Sequence, residues 1–211
     1  MTHKIGIISD IHATLEPLQH AIDIFNHNGV SRIICAGDIA GYGQDQLDDV
    51  VDTLITNRCL CIAGNHDQSV DVRLSDNANQ FLSNLPDHLI LEIEGTSIYV
   101  AHAEPPNLQH GGIKLLDPKG HVYSARLNKW EEKLRGFTHD ILIIGHTHQV
   151  FHQQIGSTLV INPGSSYFNH SCAILNLPER RVELFPLSGK DIIPTWNWGI
   201  FYKENALQEN E

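Results

Sequence analysis

The chain of 211 residues lacks any long hydrophobic run; its longest uninterrupted apolar stretch, at 59–63, is far below the roughly 18 residues that a membrane span requires. No membrane span is therefore expected. The apolar segment behind Met1-Thr2-His3-Lys4 ends at Ser9-Asp10, too short for a secretory core, so the cytoplasm is the expected compartment. Basic residues are scarce: 14 Lys plus Arg against 25 Asp plus Glu leave a formal net charge of -11. With no Lys/Arg cluster, binding to nucleic acid or an anionic membrane through a basic patch is disfavoured. Cysteine is scarce as well. Cys35, Cys59, Cys61 and Cys172 form no C-x-x-C pair, and three of them lie in apolar, strand-like segments where a thiol behaves as a small hydrophobe. Reduced, buried thiols are expected. Repeats and low-complexity tracts are missing too.

What is present fits a globular chain. With 41% hydrophobic and 18% charged residues, the chain can bury one sizeable core. Its length predicts one domain, over 1–195, followed by an aromatic segment and polar tail over 196–211, packed on the domain and then frayed. Short runs rich in Ile and Val, each followed by Gly, Asp, Asn, His or Pro, predict strands at 5–9, 32–36, 59–63, 90–93, 97–101, 140–144, 150–154, 158–161, 172–177 and 181–185. Leu15, Leu18, Ile22 and Phe25 share one helical face, as do Leu47, Val50, Val51, Leu54 and Ile55. Further helices are expected over 77–85 and around Leu127, Trp130 and Leu134. Early alternation of strand and helix predicts parallel pairing, and the closely spaced strands of 150–185 predict antiparallel hairpins, hence an α/β fold with mixed sheets. Asp45, Asp48 and Asp49 suit the start of the second helix. The aromatics of 196–202 would cover an open core edge, or a second copy in a homo-oligomer, equally well.

Histidine is abundant, at 14 residues, and imidazole is both the commonest metal ligand and the usual acid or base near neutral pH. Six segments place a metal- or phosphate-binding residue type directly after an apolar run: Asp10-Ile11-His12, Gly37-Asp38, Gly64-Asn65-His66-Asp67, His102, Gly145-His146-Thr147-His148 and Asn162-Pro163-Gly164-Ser165. In open α/β sheets such strand ends converge on one ligand site. A chance D-x-H is expected about 0.9 times in this composition, but G-N-H-D only about 0.005 times and G-H-T-H about 0.003 times. Carboxylate, amide oxygen and imidazole together suit divalent ions of intermediate character such as Mn, Fe, Zn, Ni or Co, and no site thiolate pulls toward a soft metal. Asp67, two residues past Asn65, would orient a neighbouring imidazole or amide. Asn162 serves a turn or orients a ligand.

The ordered set D-x-H, G-D, G-N-H-D, a lone His and G-H-T-H resembles the calcineurin-like metallophosphoesterase superfamily over 5–165. Gly37-Asp38-Ile39-Ala40-Gly41-Tyr42-Gly43 and Asn162-Pro163-Gly164-Ser165 resemble its small bacterial phosphodiesterases. The resemblance implies a four-layer α/β/β/α sandwich (α+β in some schemes) with two divalent metal ions, Mn foremost, at one sheet edge. Asp10, His12, Asp38 and His148 would hold one ion, and Asp38, Asn65, His102 and His146 the other. A hydroxide between the ions would attack the phosphoryl group in line. His66 would stand near the leaving oxygen as general acid, with Asp67 beside it in the catalytic segment. Because ligand imidazoles must be neutral, metal is expected to leave as the pH falls through about 6.

The chain departs from the superfamily's protein phosphatases in one motif. Their G-D-x-x-D-R-G has a second Asp and an Arg where Gly41 and Tyr42 stand here. Without that guanidinium, a small phosphodiester or nucleotide-like substrate is favoured over a dianionic monoester. Tyr42 and His170 are the expected substrate contacts, and His110 a further candidate. Glu104, close to His102, adds a negative charge. Only 34 residues separate Asp67 from His102, so no large cap covers the site. A dinucleoside-polyphosphate hydrolase and a protein phosphatase are the alternative enzymes, and a scaffold on the same fold the non-enzymatic one.

Overall fold

Strand alternation decides the architecture. The computed structural model describes residues 3–42, 44–68, 70 and 74–196, and every strand expected from the sequence is among them. In chain order the elements are β1 (His3–Ile8), α1 (Leu15–His27), β2 (Arg32–Cys35), α2 (Leu47–Thr56), β3 (Leu60–Cys61), α3 (Asp76–Ser83), β4 (His88–Ile93), β5 (Thr96–Ala101), α4 (Ser124–Lys133), β6 (Ile141–Ile143), β7 (Val150–Ile155), β8 (Thr158–Pro163), β9 (Ser171–Leu177) and β10 (Arg181–Pro186). One sheet runs β10-β9-β1-β2-β3 and the other β4-β5-β6-β8-β7. β1 pairs parallel with β2, and β2 with β3. In the second sheet β6 pairs parallel with both β5 and β8. The close-set strands of 150–185 do form antiparallel hairpins, but β7–β8 belongs to one sheet and β9–β10 to the other.

Successive strand residues face opposite sides of a sheet, and this chain uses both sides. Ile5 and Ile7 of β1, Ile34 of β2, Ile141 and Ile143 of β6, Ile161 of β8 and Leu175 of β9 meet between the sheets. Ile8, Cys35, Cys172 and Ile174 face the other way, onto Leu18, Ile22 and Phe25 of α1 and Val50, Val51 and Leu54 of α2. On the far side, Leu142, Ile144 and Val160 pack on Trp130 of α4. The layers are therefore helix, sheet, sheet, helix. A slip of one residue in any inner strand would exchange its two apolar faces.

Local signals explain the helices. The buried stripe Leu18, Ala21, Ile22 and Phe25 seats α1. Ile55 is exposed instead of joining the α2 stripe, because it lies about 100° round the helix from Leu54. Ser75 caps α3 by accepting from the Ala78 N–H at 3.2 Å, and its own hydroxyl donates to Asp48 at 2.6 Å. Thus Asp48, suited to the start of α2, also anchors α3. β3 is shorter than expected because Ala63 N–H donates to the Pro86 carbonyl rather than to a strand. Cys35, Cys61 and Cys172 are buried and Cys59 is half-buried, all four as free thiols. Burial pushes the Cys59 and Cys172 thiols up to about 12. Among the described residues no helix is long and apolar enough to cross a membrane.

Of the terminal aromatics, Trp196 is half-buried, with its ring 4.9 Å from that of Phe168. The remainder of that segment, and the polar tail expected to fray, lie outside the described residues. Phe25, fully buried against Gly6 of β1, anchors the outer layer. Replacing Phe25 by Ala should lower unfolding free energy by about 3–5 kcal/mol, measured by urea titration.

Candidate metal centre

Strands β1, β2, β3, β5 and β6 all end at one edge of the sandwich, and each delivers a polar side chain just past its last residue. The backbone turns sharply there. Asp10, His12, Asp38, His146 and His148 all have φ between 47° and 63°, a left-handed conformation that costs an L-residue roughly 1–2 kcal/mol. Backbone bonds hold them in it: Asp10 N–H donates to Gly37 O at 2.9 Å and His12 N–H to Asp38 O at 3.0 Å. The Ser165 hydroxyl, beyond β8, donates to the Asp10 carbonyl at 2.6 Å. Two motif glycines allow the close approach this requires. A Cβ on Gly64 would overlap the Asp38 carboxylate, and one on Gly145 would overlap Ser9 and Asp10.

Three overlapping groups result, each with its ligand atoms within 4.8 Å of one another: Asp10, His12 and His148; His12, Asp38 and His66; Asp38, His102 and His146. His148 Nε2 lies 3.2 Å from Asp10 Oδ1 and 3.2 Å from His12 Nε2. His102 Nε2 lies 3.2 Å from Asp38 Oδ2 and 3.2 Å from Asn65 Oδ1. The tautomers follow from the other ring nitrogens. His102 Nδ1 is 2.8 Å from the Ala36 carbonyl and His12 Nδ1 is 3.3 Å from that of Ala40. Carbonyls only accept, so each Nδ1 carries a hydrogen and each Nε2 is the atom turned toward the other site groups. A crowd of lone pairs in a buried space calls for a cation. The donor set of carboxylates, amide oxygen and imidazoles fits divalent ions.

The protonation states agree. Burial opposes charge on Asp10 and Asp38. Nevertheless, the hydrogen bond and charge of His148 hold Asp10 well below the carboxylate range, and those of His102 lower Asp38. Burial carries His12 and His146 down to about 4, so both are neutral at pH 7. His102 goes the other way: against the effect of burial, Asp38 raises it to about 9. Where a metal fits, His102 and Asp38 hold a proton.

The remaining expected residues divide. His66 is half-buried, its ring 5.2 Å from His12, and its backbone N–H donates to Asp38 Oδ1 at 2.9 Å. Tyr42 stands 5.1 Å from both His12 and His66. Asp67 takes backbone amides as its partners. Its oxygens accept from Ala40 N–H at 2.7 Å and Gly64 N–H at 2.8 Å, so it braces two loops, and burial raises it to about 6. His170 joins none of the three groups; the charges beside it belong to Lys190 and Glu16. Exposed His110 has its ring 6.4 Å from that of His146. Glu104 accepts from Gly112 N–H and lies 3.8 Å from Lys133, so its charge steadies the neighbouring loop. Asn162 does both things asked of it, accepting from Gly164 N–H within its turn and donating to the Gly145 carbonyl before His146.

One contributor escaped the sequence reading. Phe168 stacks on His148 at 5.2 Å and lies 5.4 Å from His12. The available signal was its place just beyond the Asn162-Pro163-Gly164-Ser165 turn, at the end of a further strand reaching the same edge.

Comparison with known proteins follows the same lines. Residues 3–177 match the calcineurin-like phosphoesterase superfamily domain. Phosphodiesterase MJ0936 of Methanocaldococcus jannaschii is 26% identical over 163 residues, spanning 76% of this chain and 82% of the relative. Phosphodiesterase YfcE of Escherichia coli K12 is 24% identical over 172 residues, spanning 77% and 78%. A metallophosphoesterase structure from Sphaerobacter thermophilus superposes with a TM-score of 0.68 at 20% identity, covering 89% of both chains.

These charges set the pH response of metal binding. His12 and His146 are already deprotonated above about 4, so their protons compete with metal only toward pH 4, not at the ordinary imidazole value. His102, raised to about 9, must lose its proton to coordinate, so affinity in its group falls as the pH drops below 9. At pH 7 metal binding should release at least the His102 proton. Calorimetry in buffers of differing ionisation enthalpy measures that number; release of none would contradict the assignment.

Proposed function

Because the chain belongs to the calcineurin-like phosphoesterase superfamily, we propose that it is a metal-dependent phosphodiesterase, a hydrolase of phosphoric ester bonds. The observation that carries this reading is the set of three overlapping ligand groups at the ends of strands from both sheets. Asp10, His12, Asp38 and His148 would hold one divalent ion and Asp38, Asn65, His102 and His146 a second, with Asp38 shared. Mn heads the candidates, ahead of Fe, Zn, Ni and Co. Bound there, the ions would supply positive charge to the phosphoryl oxygens and acidify the attacking water.

The chain's own residues supply the rest. His66 donates a proton to the leaving oxygen; its backbone hydrogen bond to Asp38 keeps the ring beside the metal ligands. Ser9 donates to Asp10 Oδ2 at 2.6 Å, and His146 N–H reaches the same carboxylate at 3.1 Å. Both bonds hold that ligand in place.

The diester preference rests on position 42, and position 41 also departs from the protein-phosphatase motif. Gly41 has φ 150°, and a Cβ there would overlap the His12 ring, so the carboxylate found in protein phosphatases has no room without displacing a ligand. Tyr42 follows, not arginine, and no bidentate grip on a dianion is built at that point. The relatives named as phosphodiesterases point the same way.

The test uses metal-stripped protein titrated with Mn and compares bis(p-nitrophenyl) phosphate with p-nitrophenyl phosphate. Mn-dependent turnover preferring the diester is expected; metal binding without turnover of either ester would overturn the reading. Asp10→Ala and His146→Ala should abolish turnover together with metal content. His66→Ala should keep the metal but slow cleavage of a diester with a poor alkoxide leaving group by about 10²–10⁴-fold. The loss on p-nitrophenyl esters should be smaller, since that leaving group departs without a proton. Full activity of His66→Ala on the alkyl diester would exclude its acid role.

A further inference from the structure

Next to the candidate metal centre opens a cleft that the hydrolytic reading leaves without a task. It measures about 370 Å³, at the small end of ligand sites, which run from roughly 300 to 1,000 Å³. His146 borders it, so the cleft begins where the candidate metal ligands end. Lys114 and Arg126 line it as well. In a chain of net charge -11, two cations on one cleft need a counterpart, and the protein does not supply it. The lysine and arginine ion pairs among the described residues belong to Lys133, Arg180 and Arg181. Asp117, the acid nearest to Lys114 in sequence, is engaged in its own loop, accepting from Lys119 N–H at 2.8 Å and His121 N–H at 2.9 Å.

The cations also stand at a fixed place relative to the imidazoles. Gln149, directly after His148, is buried, and its Oε1 accepts from Leu115 N–H at 2.8 Å and Leu116 N–H at 3.0 Å. Its Nε2 and the Arg126 Nη1 both donate to the Leu116 carbonyl, at 3.2 Å and 2.6 Å. The Thr147 hydroxyl donates to the Ile113 carbonyl at 3.2 Å. The segment that carries Lys114 is thereby laced to the one that carries His146. The Arg126 guanidinium lies 5.5 Å from the centre of the Tyr123 ring, a contact that steadies it further, and it keeps N–H donors beyond the one given to Leu116.

We propose that Lys114 and Arg126 form a second anion site beside the metal centre, so that the diester hydrolysed here carries a further phosphate or carboxylate on one of its ester groups. The inference rests on the phosphodiesterase reading and names its substrate class. A guanidinium presents paired donors to either oxyanion, and the lysine adds a point charge. The cleft is small, so the second anion belongs to a small metabolite and not to a polymer. Each contact between an exposed cation and an anion adds up to about fivefold in affinity, and two together up to about thirtyfold.

The test compares sugar phosphates that differ in their second anion. Fructose 6-phosphate, fructose 1,6-bisphosphate and 6-phosphogluconate are titrated calorimetrically into Mn-loaded protein, as wild type, Lys114→Ala, Arg126→Ala, the double variant and Lys129→Ala. Wild type should bind the bisphosphate at least about fivefold more tightly than fructose 6-phosphate. Each single variant at the cleft should lower that ratio, and the double variant should bring it within about twofold. Binding of fructose 6-phosphate should stay unchanged throughout, as the internal check on folding and metal loading. Lys129→Ala, which removes a charge of α4 outside the cleft, should keep the preference. Tightening by 6-phosphogluconate alone supports the site and makes its anion a carboxylate. Equal binding of all three by wild type, or a preference that survives the double variant, would overturn the site. Hydrolysis of bis(p-nitrophenyl) phosphate by the same wild-type preparation separates the two ideas. If hydrolysis stands while the second anion adds nothing, only the anion site falls; if no diester is cleaved, the catalytic reading falls and takes the substrate class with it.

Discussion

Asp10 and Asp38 are 0% and 2% exposed, and neither has a lysine or arginine among its described partners. Imidazoles at 3.2 Å, a serine hydroxyl and backbone N–H groups are what face them. Burying two carboxylates in this way is costly unless positive charge is brought to them. Their surroundings, from the tautomers of His12 and His102 to the proton between His102 and Asp38, follow from that requirement. The strained turns follow too. Left-handed conformations at five candidate ligand positions persist only where the surrounding structure over-determines them, and here hydrogen bonds from neighbouring strand ends do so.

That over-determination explains why apparently idle residues surround the site. Asp67 ties the loop after β2 to the loop after β3 through backbone amides, and Asn162 ties the turn after β8 to the one after β6. Glu104 secures the stretch of chain that carries His110. None of the three needs to meet a substrate to matter. Each fixes the relative position of two loops that deliver ligands or border them, and small displacements there would be felt directly in the geometry of the site.

Much of this was legible in the sequence because the candidate ligands follow their strands directly. Ile5 to Ile8 reads as a buried strand, and Asp10-Ile11-His12 stands at its end; the same holds for Ile33 to Cys35 before Asp38 and Ile141 to Ile144 before His146. Local pattern therefore carried both the strand and the direction of its chemistry. It could not say which sheet a hairpin joins, since β7–β8 and β9–β10 look alike in sequence, nor that Pro86 would capture Ala63 and cut β3 short. The partners of Asp67 and Glu104 are backbone groups brought close only by folding. For Phe168 the sequence offered only its place just beyond the Asn162-Pro163-Gly164-Ser165 turn; the imidazoles it meets are brought to it by folding.

The candidate ligands draw on both sheets. Asp10, His12, Asp38 and Asn65 come from the sheet containing β1 to β3, and His102, His146 and His148 from the one containing β5 and β6. An ion held across that seam would behave as a rivet. Sliding or separation of the sheets would pull its ligands apart, so the apolar layer between them and the coordination sphere would stabilise one another. Each tenfold rise in free metal above its dissociation constant would then add about 1.4 kcal/mol of resistance to unfolding. The resilience of the fold would thereby become a gauge of how much metal its surroundings contain.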